Sequence, residues 1–168
     1  MRRTLNVWLA VAGALVAATA LITHAAALTI ATAPITFPGV TLDGTDQTVS
    51  GSTSAWRADA TGTVDGWNVT VASTDFANDD GKTIAVSNFE SRLMDANIVV
   101  VSGDTIGPAS TQTTFAALGG TPLKIALAAV GEGDGVYDLT PDFRLTVPAE
   151  TFVGSYTATV TIAISVGP

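Results

Sequence analysis

The stretch Tyr156-Thr157-Ala158-Thr159-Val160-Thr161-Ile162-Ala163-Ile164-Ser165-Val166 decides the fold. Tyr156, Ala158, Val160, Ile162, Ile164 and Val166 fall at every second position, and Thr157, Thr159, Thr161, Ala163 and Ser165 fill the gaps. Period two predicts a long strand with one apolar face and one mostly hydroxyl face. Threonine on the outward face fits a strand better than a helix, because a β-branched side chain loses rotamer freedom against the preceding helical turn.

Shorter versions of the same pattern recur upstream. Trp67, Val69 and Val71 alternate with Asn68 and Thr70; Leu123, Ile125 and Leu127 with Lys124 and Ala126; Phe143, Leu145 and Val147 with Arg144 and Thr146. Ile98 to Val101 is a continuous apolar run and reads as a strand buried on both faces or crossing the core. Ile35 and Phe37 start a further segment, which Pro38-Gly39 interrupts. Turn signals separate the runs at Asp43-Gly44, Asp65-Gly66, Asp80-Gly81, Ser102-Gly103, Gly119-Gly120 and Gly131 to Gly135. The pattern predicts an all-β chain, an antiparallel β-sandwich of Ig-like or jelly-roll-like Greek-key type. One short helical candidate remains, Asn88 to Ala96, with Phe89, Leu93 and Ala96 on one side and Asn88 as its cap.

The N-terminus carries a different signal. Arg2 and Arg3 precede an almost unbroken apolar run from Val7 to Ile22, and Ala25-Ala26-Ala27 follows as a small-residue cleavage site. This is the layout of an export signal that is removed. An uncleaved anchor is the alternative, but 16 residues make a helix of about 24 Å against a hydrocarbon core of roughly 30 Å. The expected organisation is a signal helix over 1–27, N-terminal strands and a loop over 28–54, and the body of the sandwich over 55–168. Residues 28–54 and 55–168 form one domain in this reading.

Cleavage after Ala27 removes 27 of the 168 residues and leaves 141, enough to bury a core without crosslinks. It also removes His24, the sole histidine, from a chain that has no cysteine. No Ser–His–Asp constellation, His-ligated metal or thiol chemistry is then possible. A pair of carboxylates could still act as acid and base, but no spacing singles one out, so the expectation is a protein that is not an enzyme. Five basic residues remain against 15 acidic ones, a net charge of −10, which disfavours nucleic acid and anionic lipid.

Several stretches carry two readings. Asp75, Asn78, Asp79 and Asp80, followed by Gly81, supply the oxygen ligands that Ca²⁺ prefers, or form a plain acidic hairpin loop. No other cofactor is indicated. Gly131-Glu132-Gly133-Asp134-Gly135 runs into a short strand, not a helix, so a loop is favoured over a phosphate cradle. Trp56 and Trp67 are core residues by default and ligand-stacking platforms in the sharper reading. Asn68-Val69-Thr70 is a glycosylation sequon placed within a strand.

Gly66-Trp67-Asn68-Val69-Thr70-Val71 resembles the first motif of the WxL-domain bacterial cell-surface proteins, a tryptophan followed two positions later by an aliphatic residue. The Gly131–Gly135 segment, Leu145-Thr146-Val147-Pro148 and Gly154-Ser155-Tyr156-Thr157-Ala158-Thr159-Val160 follow in the family's order, so the resemblance spans roughly 55–168. The family's second tryptophan motif is absent, since Ile162 and Ile164 stand in its place. The resemblance implies an extracellular protein held non-covalently to the cell envelope, with a cell-wall polymer or neighbouring surface proteins as partners. Trp67 is the motif residue it transfers.

Two further functions fit the residues. In one, Leu28, Ile30 and Ile35 belong to a free N-terminal strand that adds to an open sheet in the next copy, making a pilus-like filament by self-association. In the other, Trp56 or Trp67 serves a carbohydrate-binding module. Neither involves nucleic acid or a membrane span after cleavage.

Overall fold

The computed structural model describes residues 28–167. The leader and its expected helix lie outside the described residues. Fourteen strands follow: β1 (Thr29–Ala31), β2 (Gln47–Gly51), β3 (Trp56–Asp59), β4 (Trp67–Ser73), β5 (Phe76–Ala77), β6 (Thr83–Ile84) and β7 (Phe89–Arg92). The second half holds β8 (Ile98–Gly103), β9 (Ala109–Ser110), β10 (Ala116–Ala117), β11 (Leu123–Ala128), β12 (Gly135–Leu139), β13 (Asp142–Val147) and β14 (Val160–Val166). Every pairing is antiparallel. The strands form three four-stranded sheets, β1-β3-β12-β8, β10-β7-β13-β2 and β14-β4-β11-β9, and a small β5-β6 hairpin.

The described residues are all-β because their apolar side chains recur with period two. Trp67, Val69, Val71 and Ser73 of β4 are buried while Asn68, Thr70 and Ala72 are half-buried. Phe143, Leu145 and Val147 of β13 do the same against Asp142, Arg144 and Thr146. Side chains from all three large sheets meet in one core. Aromatic rings run through it: Phe89 lies 5.2 Å from Phe76 and 5.6 Å from Phe143, and Phe143 lies 5.8 Å from Trp56. Such tilted and edge-on pairs match the ring quadrupoles.

Four expectations need correction. Asn88 to Ala96 is not helical: single 3₁₀ turns at Val86–Asn88 and Asp95–Asn97 flank β7. Phe89, Ser91 and Leu93 are all fully buried, so the operative period is two, and the small polar Ser91 hides it in the sequence. Ile98 to Val101 neither crosses the core nor lies buried on both faces. It forms the free edge of its sheet, with Val99 55% exposed and Val101 47% exposed. The C-terminal strand is shorter than its pattern, covering Val160–Val166, while Thr157 makes only an isolated bridge to Ala77. Finally, Ile125 and Ala126 are both buried, because Ile125 is an extra residue opposite β4 and shifts the alternation within β11.

Candidate functional site

Trp56 and Trp67, the two tryptophans among the described residues, reach the core by different routes. Trp67 opens β4, is fully buried, and donates its indole N–H to the Gly133 carbonyl at 2.9 Å. Gly133 has φ of +74°, and a Cβ there would come within 2.6 Å of the Ala128 Cβ and 2.9 Å of the Trp67 Nε1. The glycine is therefore required both by its backbone and by the indole beside it. Trp56 opens β3, is equally buried, and donates to the Thr53 hydroxyl at 3.2 Å. Neither indole presents a face to solvent. Of the two readings of Trp56 and Trp67, the burial fits core packing, and the ligand-stacking alternative is corrected to an anchoring role.

The acidic loop is a hairpin turn closed by its own backbone. Asp75 accepts the Val86 N–H at 2.8 Å, and Asn78 accepts the Lys82 N–H at 2.7 Å through its side-chain oxygen. Asp79 sits at the exposed tip, and Asp80 is exposed beside it. Asp75 and Asn78 thus spend an oxygen each on the chain instead of converging with Asp79 and Asp80. Among the described residues, no cluster of three or more His, Cys, Asp or Glu side chains could hold a metal ion.

The N-terminal segment is docked in cis, not free. Thr29, Ile30 and Ala31 pair with Asp59, Ala58 and Arg57, and Thr36 bridges Ser52 through two backbone bonds of 2.9 Å. Leu28, Ile30 and Ile35 are half-buried against the core, and Phe37 sits 5.7 Å edge-on from Phe89. The fit is incomplete. A groove of about 560 Å³ separates Ala33 and Ile35 from Tyr156, Ala158, Val160 and Ile162, with Phe76 and Phe89 as its floor. A second groove of about 710 Å³ opens beyond Phe37 and Tyr156 toward Phe152 and Val153, which are 61% and 87% exposed. Neither groove is lined by a carboxylate, an amine or a guanidinium.

Six of the other eight exposed large apolar residues among the described residues, all but Met94 and Val166, group at two places that sequence reading missed. One is the edge strand β8. The other joins three loops: Gly131 N–H bonds the Val64 carbonyl at 2.8 Å and Gly133 N–H bonds the Ile106 carbonyl at 3.1 Å, leaving Val64, Ile106 and Val130 about two-thirds exposed. For β8 the sequence clue was its apolar run, read as interior, and for the loop group only an apolar residue in or beside a turn.

Ionic groups are arranged across strands. Arg57 grips Asp138 directly opposite it with two bonds of 2.8 Å, which hold the Asp138 carboxyl below the usual carboxylate range. Arg92 pairs with Asp142 and Arg144 with Glu90, and both guanidinium groups stack on Phe115 at 4.5 and 4.2 Å. Tyr137 donates to the Asp104 carbonyl at 3.0 Å, and burial, aided by the Asp104 and Asp134 charges, pushes its phenol up. Asp104 and Asp134 themselves accept backbone N–H groups of residues 134 and 62.

No family model matches the chain, and no curated protein matches it. Among solved structures, it overlaps a family 123 glycoside hydrolase from Clostridium perfringens with a TM-score of 0.39 and 15% identity, over 73% of this chain. The chain spans 18% of that enzyme. At that overlap the likeness decides neither activity nor substrate.

Proposed function

We propose that the protein is an exported, non-catalytic β-sandwich domain that works by surface contact at the bacterial cell envelope, held there non-covalently. The observation that carries this reading is β8, an uncharged edge strand whose three consecutive valines are 40–55% exposed on a strongly acidic chain. Monomeric proteins usually blunt such edges with lysine, proline or cover, and contiguous exposed apolar patches mark contact surfaces. The grooves carry no titratable acid or base beyond the Tyr156 phenol, which supports contact over catalysis. The WxL-like order of motifs supports the envelope as the location, and the leader layout supports export.

The partner is a wall polymer or a neighbouring surface protein. Fractionation of the producing cells tests the reading. The expected result is a chain shortened by the mass of residues 1–27, found with the envelope and released by denaturant without bond cleavage. A full-length chain in the cytosol contradicts it.

A further inference from the structure

We infer that residues 28–37 are an exchangeable strand, and that the sheet edge they cover accepts the same segment from a second copy of this chain. The inference rests on the proposed removal of the leader, which leaves Leu28 near the free end. Three properties support it.

The first is weak attachment. Few hydrogen bonds hold the segment, three residue pairs to β3, one bridge to Ser52 and a 3.2 Å bond from the Thr53 hydroxyl to the Ala33 carbonyl, and its apolar side chains, Phe37 foremost, are only half-buried on the core. Short edge elements of this kind open at free energies far below that of global unfolding. The second is the connection. Between Phe37 and β2, Gly39 and Gly44 have no atom within 4 Å of where a side chain would start, so these two positions are free to turn, and straightening the stretch costs the packing of half-buried Val40 and Leu42 and the Gln47 bond to the Thr41 carbonyl.

The third is the seam. The free edge of β14 lies near β1 without being hydrogen-bonded to it, and the 560 Å³ groove runs between residues 32–37 and β14 over Phe76 and Phe89. Opening the segment turns this seam into a wider apolar slot bordered by two sheet edges, β3 and β14. The slot already matches the segment's apolar spacing, because Ile30, Ile35 and Phe37 pack against the core there in cis and leave the rest as the groove. A second copy offers identical side chains and identical main-chain bonds, so exchange changes only the connection and the concentration dependence. Any other strand would have to match both.

The absence of cysteine makes the test clean. Thr29 and Asp59 are cross-strand partners with outward side chains. Thr29→Cys and Asp59→Cys are introduced into separate full chains, expressed with their leaders, and the purified proteins are mixed under mild oxidation. Exchange predicts a 29–59 disulfide joining one chain of each type, seen as a species of twice the chain mass on a non-reducing gel and mapped by mass spectrometry. The unsubstituted protein should show mass rising with concentration by light scattering. A strictly monomeric protein at high concentration overturns the proposal. So do oligomers that form without the 29–59 link, since they assign association to another surface. Envelope fractionation is independent of both outcomes, so failure here leaves the contact function standing.

Discussion

At the residue scale, Trp67 is the anchor of the fold's most constrained corner. Its ring contacts Tyr137 at 5.8 Å and its N–H ties down the Gly131–Gly135 loop. Trp67→Ala should cost about 3–5 kcal/mol in urea unfolding. Gly133→Ala should cost about 2 kcal/mol or more, since it forces a side chain into a positive-φ site against the indole. In the chain without residues 1–27, which also lacks Trp8, Trp56 and Trp67 should fluoresce at blue-shifted wavelengths and resist iodide quenching, and a red-shifted, quenchable emission would contradict their burial. The Ser91 hydroxyl is fully buried with no partner among the described residues. Ser91→Ala should therefore leave stability unchanged or raise it by about 1 kcal/mol. Asp138 supplies a pH signature. Its folded carboxyl titrates below its unfolded value, so the stability it contributes is present above about pH 4 and is lost as pH falls through the folded pKa. Asp138→Asn should be less stable than the natural chain at pH 7, and the difference should shrink as pH falls through the folded pKa.

At the element scale, the strands with clean alternation were legible in the sequence. Those around Trp67 and Phe143 appear where the spacing puts them, because one face is buried and the other is not. Legibility failed where that relation broke. A run such as Ile98–Val101 reads as interior, yet burial depends on which strands lie outside it, and β8 has none on its far side. Ser91 masked the period of β7, and the extra residue Ile125 reversed the phase of β11, a change that no alternation count detects. Trp56 and Trp67 were recognisable as important, but their direction depended on Thr53 and Gly133, and Gly133 is far from Trp67 in sequence. The edge strand has its own signature. Replacing Val99 with lysine should leave thermal stability within about 0.5 kcal/mol, as expected of an exposed position. It should also reduce any concentration-dependent association through β8.

At the scale of the whole molecule, three of the five basic residues beyond Ala27 are spent in cross-strand ion pairs, which leaves the acidic excess largely uncompensated on the surface. Long-range repulsion between like-charged copies opposes their approach, and the proposed envelope contact is assigned to local apolar surface acting at short range. That makes the exposed valines of β8, not the buried tryptophans, the contact surface of this account. Among the described residues, no helix is long and apolar enough to cross a membrane.

The most direct measurement is co-sedimentation of the purified protein with isolated bacterial envelopes, comparing the natural chain with a Val99→Lys/Val101→Lys variant of unchanged melting temperature. The natural chain should pellet with the envelopes and the variant should stay in the supernatant. Equal binding by both, or a natural chain that never pellets, contradicts the account.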